Sequence, residues 1–328
     1  MTATKVTMAQ AINTALRDAM TEDPSVVVFG EDVGPLGGVF RVTDGLTGAF
    51  GEQRCFDTPL AESGIAGMAI GMAMNGFRPV VEMQFDAFAY PAFEQITSHL
   101  AKMGNRTRGR VRLPVVVRVP YAGGIGGVEH HCDSSEAYYA HTPGLTVVAP
   151  ATNEDAYGLL REAIASPDPV IFLEPKRHYF TREEVDFARA VPPIGRAVVR
   201  GPGRDATLIA YGPSVPVALA AAGQAATEGR DLAVVDVRSI VPFDDETVTR
   251  AVAATGRAVV VAEAPGFASV AAEIAARVSE QCFPYLEAPV RRVTGFDIPY
   301  PPPKLEHHHL PSVNRILDAV DELNWDAA

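Results

Sequence analysis

A glutamate and a pair of histidines are the residues of this sequence best suited to move protons. Glu62 stands in the run DTPLAESGIAGMAIGMAMNG (57–76), which opens with Asp57-Thr58-Pro59 and continues as a helix of small and apolar residues. An acidic residue in a first helical turn is ordinarily a helix-dipole effect of a few tenths of a kcal/mol. The glycines behind it, at 64, 67, 71 and 76, need another reason, because each costs about 1 kcal/mol relative to alanine inside a helix. Close approach of another backbone is the usual one. Gly67 and Gly71 share a face on which a neighbouring helix would sit.

His130 and His131 follow a loop with glycines at 123, 124, 126 and 127, and His141 comes ten residues after His131. An imidazole titrates near neutral pH and can carry protons, though many histidines are only satisfied polar groups. The loop lacks the Lys-Ser/Thr of a phosphate cradle and the G-x-G-x-x-G of a dinucleotide fingerprint. It reads as a flexible cover over a site. Phe85, Phe88, Tyr90 and Phe93 crowd QFDAFAYPAF, a density that core packing explains by itself. Glu31-Asp32 close the apolar run SVVVFG and lead into GEDVGPLGG. Such a loop, at the carboxyl end of a parallel strand, is where open α/β sheets bind ligands. A solvated strand-end carboxylate is the competing account of Glu31. His307-His308-His309 resembles a tag remnant, but LPSVNRILDAVDEL continues beyond it as an amphipathic helix. Adjacent histidines on an extended segment point to opposite faces, which disfavours a shared metal.

The elements that must position these residues alternate. Residues 7–22 read as a helix capped by Thr7. SVVVFG (25–30), PVVEMQF (79–85), LPVVVRVP (113–120), TVVAP (146–150) and PVIFLEP (169–175) read as buried strands. RCFD (54–57) leads into the central stretch, and helices are expected at 41–50, at 90–104 and from Asn153. The alternation restarts at ATLIAYG and continues through LAVVDVRSI, AVVVAEA and PVRRVTG, with helices at 214–228, from Asp244 and at 268–281. This predicts an α/β protein of two doubly wound domains with largely parallel sheets. The expected division is residues 1–185, a polar Gly/Pro-containing linker at 186–204, and a smaller domain at 205–328.

The chain of 328 residues carries a formal net charge of −12, which argues against nucleic acid or an anionic membrane as partner. No apolar run approaches the ~18 residues of a membrane span. The N-terminus has no apolar signal core, so a cytoplasmic protein is expected. Cys55, Cys132 and Cys282 are scattered and read as reduced thiols, with no C-x-x-C spacing.

DTPLAESGIAGMAIGMAMNG, EMQFDAFAYPAFEQI, HHCDSSEAYYAHTPGLTVVAPATNEDAYGLL and PVIFLEPKRHY occur in this order, and PPPKLEHHHLPSVNRILDAV closes the chain. Together they resemble the β subunit of the thiamine-diphosphate-dependent 2-oxoacid dehydrogenases, the decarboxylating first component of the pyruvate and branched-chain complexes. The resemblance implies a pyrimidine-binding N-terminal domain and a transketolase-like C-terminal domain. It implies that Glu62 is the carboxyl bonded to the cofactor's aminopyrimidine and needs a raised pKa for that work. It also implies that Phe88 stacks on that ring, Leu60 makes an apolar contact and Glu31 lies nearby. His131 is implied as the proton carrier in reductive acylation of a lipoyl group. The family's Ser-Gln after that histidine is Cys132-Asp133 here, and Asp133 is expected to raise the pKa of His131.

The family's Gly-Asp-Gly…Asn motif for diphosphate and magnesium is missing, so an α subunit is expected to hold Mg2+ and the other half of the cofactor in an α2β2 assembly. The Gly67/Gly71 face is the candidate contact. EAIASPDP (162–169) with Val115 resembles a monovalent-cation site, possible for K+, built from Val115, Ala163, Ile164 and Asp168, although Ser166 and Asp168 stand where the family often has Asp and Asn. The family's C-terminal domain docks the lipoyl acyltransferase core, and an acidic surface suits a small basic partner. EMQFDAFAYPAF and HHCDSSEAYYAH resemble the branched-chain type more closely than the pyruvate type. Two other classes are a nucleotide-binding α/β subunit, against which the missing fingerprint counts, and a non-catalytic docking subunit.

Overall fold

A computed structural model describes residues 3–323. The helix Met8–Glu22 starts where Thr7 predicted it: Gln10 N donates to Thr7 Oγ1 at 3.2 Å, and Thr7 N donates to Gln10 Oε1 at 2.9 Å. Two orphan amides are thus satisfied reciprocally. Met8, Ile12, Ala15 and Leu16 recur at helical spacing and are buried.

The strands among the described residues are β1 (Thr4–Thr7), β2 (Val26–Gly30), β3 (Cys55–Asp57), β4 (Arg78–Glu82), β5 (Val116–Tyr121), β6 (Thr146–Val148), β7 (Val170–Pro175), β8 (Arg182–Val185), β9 (Val198–Gly201), β10 (Ala206–Ala210), β11 (Leu232–Asp236), β12 (Ser239–Val241), β13 (Ala258–Pro265) and β14 (Arg291–Gly295). The first sheet has the order β12-β6-β7-β5-β4-β2-β3 and is parallel except for β12. The second has the order β14-β13-β10-β11-β9 and is parallel except for β9. β1 and β8 form a separate antiparallel ribbon. Every residue of β2, β5 and β7 is buried, as befits strands covered by helices on both faces.

Several local expectations are corrected. The helix expected at 90–104 is three pieces: a 3-10 turn Ala87–Ala92 containing Pro91, a π-helical Gln95–Leu100, and a short α-turn Met103–Arg106. Pro91 cannot donate to a helical ladder, and Ala101 N reaches back to Ile96 O at 2.9 Å. Only Leu46–Phe50 of 41–50 is helical, because Gly45 enters at φ 73. The stretch 186–204 is not bare linker, since β9 lies within it and pairs with β11. β12, contributed by the second half, forms the edge of the first sheet beside β6.

Ion pairs tie the halves together. Arg238, just before β12, is fully buried and donates to Asp155 Oδ1 at 2.9 and 2.7 Å and to the carbonyls of Arg196 and Pro192 at 2.8 Å each. Asp155 lies in the helix Asn153–Ala165 of the first half, and Arg200 on β9 also pairs with it. Inside the first sheet Arg118 is another fully buried cation. It donates to Glu82 at 2.7 Å and bidentately to Glu174 at 2.6 and 2.9 Å. Register explains the arrangement, for Glu82 sits opposite Arg118 on the adjacent strand.

Candidate active site

The carboxyl ends of β2, β3, β4 and β5 converge, and the residues singled out by type lie just beyond them. Glu31 follows β2 directly, and Glu62 opens the helix Glu62–Met74 a few residues after β3. Thr58 N donates to Gly30 O at 2.9 Å and Gly34 N to Asp57 Oδ1 at 2.6 Å, which tie the two loops together.

Glu31 is not a solvated strand-end group. It is only 6 % exposed, and its Oε1 has no hydrogen-bond partner. Burial raises its pKa above the ordinary 4.5, and the nearby charges of Glu62 and Asp32 add to the rise, while the Ala61 amide opposes it. Glu62 is half-buried. Leu60, by contrast, is 82 % exposed. The glycine face is open within this chain: a Cβ at Gly71 would meet nothing within 4 Å, and one at Gly67 only Gln95 Oε1 at 4.0 Å. The close backbone approach expected there is therefore not made by another part of the chain.

Beyond β4 and β5 an aromatic cluster forms. The His131 ring stands edge-on to Phe85 at 4.4 Å and to Phe88 at 5.4 Å, and His130 stacks on Phe88 at 5.9 Å. Burial lowers the pKa of His131 below 6.5, and the positive charges of His130 and Lys176 push the same way. This corrects the expectation for Asp133, whose carboxylate instead accepts from the Tyr90 hydroxyl at 2.7 Å. His141 lies elsewhere, exposed in a groove with Phe243 and Arg277.

Beneath the histidines lies a pair that sequence reasoning missed. Asp86 is fully buried; it accepts from Ser135 N at 3.0 Å and from the Ser135 hydroxyl. Burial pushes its pKa up to about 7, against the opposing charge of Lys176. Lys176, at the end of β7, is itself buried, with its pKa down to about 8; its Nζ donates to Pro120 O at 3.3 Å and stands 5.9 Å from the Phe85 ring. The one signal in the sequence is position: both follow a strand's carboxyl end.

The expected cation ligands lie near one another. Val115 O accepts from Val170 N at 3.0 Å, and Ile164 O accepts from Arg78 Nη1 at 2.9 Å. Arg78 also serves Ser166 O at 3.1 Å, and the Asp168 carboxylate pairs with Arg112 at 2.7 Å. Ala163 O accepts from Ser166 N at 3.2 Å. A guanidinium thus already occupies part of this carbonyl cluster. Of the three C-terminal histidines, His309 is buried and packs edge-on against Tyr300 at 5.2 Å, while His307 and His308 are exposed. Among the described residues no group of three or more His, Cys, Asp or Glu is arranged to hold a metal.

Residues 4–181 match the family model described as "Transketolase, pyrimidine binding domain", and residues 195–316 match "Transketolase, C-terminal domain". The chain is 56 % identical to the "Pyruvate dehydrogenase E1 component subunit beta" of Leifsonia xyli subsp. xyli, covering 96 % of this chain and 93 % of the relative. It is 55 % identical to the "3-methyl-2-oxobutanoate dehydrogenase subunit beta" of Mycobacterium tuberculosis, covering 97 % and 92 %. A solved structure titled "Split gene transketolase, inactive beta4 tetramer" superposes with a TM-score of 0.79 at 23 % identity, covering 97 % of this chain and 98 % of that one, which speaks for the fold. With near-complete coverage by relatives that share more than half its residues, and with both transketolase domains in order, the chain belongs to the thiamine-dependent 2-oxoacid dehydrogenase E1 β-subunit family.

Proposed function

We propose that this chain, assembled with an α subunit, forms the active site of a 2-oxoacid dehydrogenase that decarboxylates a branched-chain 2-oxoacid and passes the acyl group to lipoyl-lysine of an acyltransferase. The observation that carries the reading is the carboxyl pair: Glu62 at the mouth of its helix beside a buried Glu31 with an orphaned oxygen, at the same carboxyl end of the first sheet from which the segments of Phe88 and His131 emerge. A buried carboxyl oxygen without a partner fits a site that receives a polar ring.

The residues suit the pyrimidine half of thiamine diphosphate. Bound there, thiamine diphosphate would supply a carbon nucleophile and an electron sink for decarboxylation of a 2-oxoacid. Glu62 shares a proton with a ring nitrogen of the aminopyrimidine and holds its tautomer. Phe88 offers an aromatic face to that ring, and Leu60 an apolar edge. Glu31, buried beside Glu62, holds its proton more tightly than an ordinary carboxyl and offers an unpaired oxygen to the site. His131 is mostly neutral near pH 7 because its pKa is lowered, so once protonated at a ring nitrogen it is a strong enough acid to protonate a departing lipoyl sulfur. Diphosphate and Mg2+ fall to the α subunit, which would cover the open Gly67/Gly71 face and the exposed Leu60, Met68 and Met74 in a cytoplasmic α2β2 assembly. The acyltransferase would dock on the C-terminal half. A monovalent cation at Val115, Ala163, Ile164 and Asp168 stays outside the proposal, because Arg78 brings a fixed charge there.

A second reading, with pyruvate as substrate, is favoured by the pyruvate dehydrogenase name of the 56 %-identical relative. The test is to co-express the chain with its α subunit, add thiamine diphosphate and Mg2+, and follow reduction of an artificial acceptor with each acid. Faster turnover of 3-methyl-2-oxobutanoate than of pyruvate, reduced at least about a hundredfold in a folded Glu62→Gln variant, supports the reading. Turnover that survives Glu62→Gln overturns it, and a stable complex inert to both acids favours a docking subunit.

A further inference from the structure

The loop bearing His130 and His131 springs from the first sheet but is fastened to the second half. Its amides are taken up one after another by distant side chains. Gly123 N donates to Glu263 Oε1. Gly124 N donates to the Tyr300 hydroxyl at 3.0 Å, and Gly126 N donates to Glu306 Oε2 at 3.3 Å. The acceptors are themselves joined. The Tyr300 hydroxyl donates to Glu306 Oε2 at 3.0 Å, and Glu263 pairs with Arg177. His309 braces the Tyr300 ring from behind.

The glycines make this fastening possible. Gly124 and Gly126 stand at φ 80 and 70, a left-handed region that disfavours a side chain. A Cβ on Gly123 would run into the Tyr300 ring. Ile125, between Gly124 and Gly126, and Val128, beyond them, are exposed, so burial holds these positions only weakly. Three amide hydrogen bonds to side chains of the second half therefore hold this segment directly. Three residues beyond Val128, His131 N donates to Val128 O at 2.9 Å. The imidazole's stance against Phe85 and Phe88 is thereby inherited from the clamped segment.

We propose that Glu263, Tyr300 and Glu306 are positioning residues for acyl transfer: by holding the 123–127 backbone they set where His131 stands, so the C-terminal half governs how readily the site hands its acyl group on. This rests on the role given to His131 above. It separates two half-reactions, since acyl transfer needs His131 in register and reduction of a small artificial acceptor does not.

The experiment uses the chain assembled with its α subunit and compares wild type with Tyr300→Phe, Glu306→Ala and Glu306→Gln. Amide hydrogen exchange of peptides spanning 121–131 is read alongside kcat and KM for lipoyl-domain acylation and for artificial-acceptor reduction. Tyr300→Phe and Glu306→Ala are expected to speed exchange in that segment alone. They are expected to lower kcat for acylation about tenfold while acceptor reduction stays within about twofold. Glu306→Gln, which keeps an acceptor oxygen, recovers most of the loss. Unchanged exchange in both disruptive variants overturns the proposal, as does faster exchange with unchanged acylation, or an equal fall in both half-reactions. His131→Ala run in parallel separates the premises: if acylation survives it, the role of His131 fails, and the exchange data still decide whether the clamp holds the loop.

Discussion

Asp133 stands two residues after His131, yet its carboxylate accepts from the Tyr90 hydroxyl at 2.7 Å, and burial, not a carboxylate, governs the imidazole. A histidine with a lowered pKa titrates below its ordinary 6.5. Replacing Asp133 by Asn is therefore expected to move the His131 titration by less than about half a unit. Nuclear magnetic resonance of the ring protons against pH measures this directly, and a fall of a full unit in the variant would show Asp133 supporting the imidazolium after all.

Phe88 shares its face with His130 and its edge with His131, while neighbouring Ala89 and Ala92 are buried in the core. Removing the ring by Phe88→Ala should raise the thiamine diphosphate concentration needed for half-saturation about tenfold, as loss of one aromatic contact does. Fluorescence titration of the assembled protein gives the number, and an unchanged affinity would return Phe88 to a packing role.

Glu136 is fully buried and accepts from the Tyr211 hydroxyl at 2.8 Å, and burial pushes its pKa up to about 7 from an ordinary 4.5. The folded chain keeps this proton where the unfolded chain has lost it. Stability contributed at Glu136 is thus greatest at low pH and declines as pH rises from 4.5 through about 7. Glu136→Gln should flatten the decline and gain on the order of 2 kcal/mol relative to wild type at pH 7.5 against pH 5. Urea unfolding at the two pH values provides the comparison, and parallel behaviour of the two proteins would contradict it.

Arg238→Met leaves Asp155 buried with only Arg200 to neutralise it and strands the carbonyls of Arg196 and Pro192. Breaking a buried pair from one side costs about 3–5 kcal/mol. The urea midpoint should fall accordingly. If Asp155→Leu in the same background recovers part of the loss, the cost lies in the abandoned charge rather than in packing.

What the sequence made legible was local. Thr7 announced its helix because a capping box is complete within four residues. β2, β5 and β7 were plain because strands buried on both faces are apolar throughout. The segment at 90–104 departs from a single helix because Pro91 interrupts its start and the bonding of Gln95–Leu100 is π-type, which residue types alone do not reveal. Arg118, Asp86 and Lys176 were invisible as a class: a buried charge depends on partners such as Glu82 and Glu174, which only strand register brings alongside. Glu62 stands out through a family's motif and not through its helix, whose apolar residues give no favoured face. The clamp on Gly123, Gly124 and Gly126 could not be read at all, since its acceptors lie more than a hundred residues downstream.

The crossing of β12 into the first sheet bears on how this protein could be cut or recombined. A polypeptide ending before β9 would lack the strand that pairs with β6, exposing a ladder of unmatched amides and carbonyls at a sheet margin, a template for self-association. The two family modules are consecutive along the chain yet are not separable parts. Swapping a foreign C-terminal module onto this N-terminal one would succeed only if the donor carries an equivalent of Ser239–Val241 in matching register.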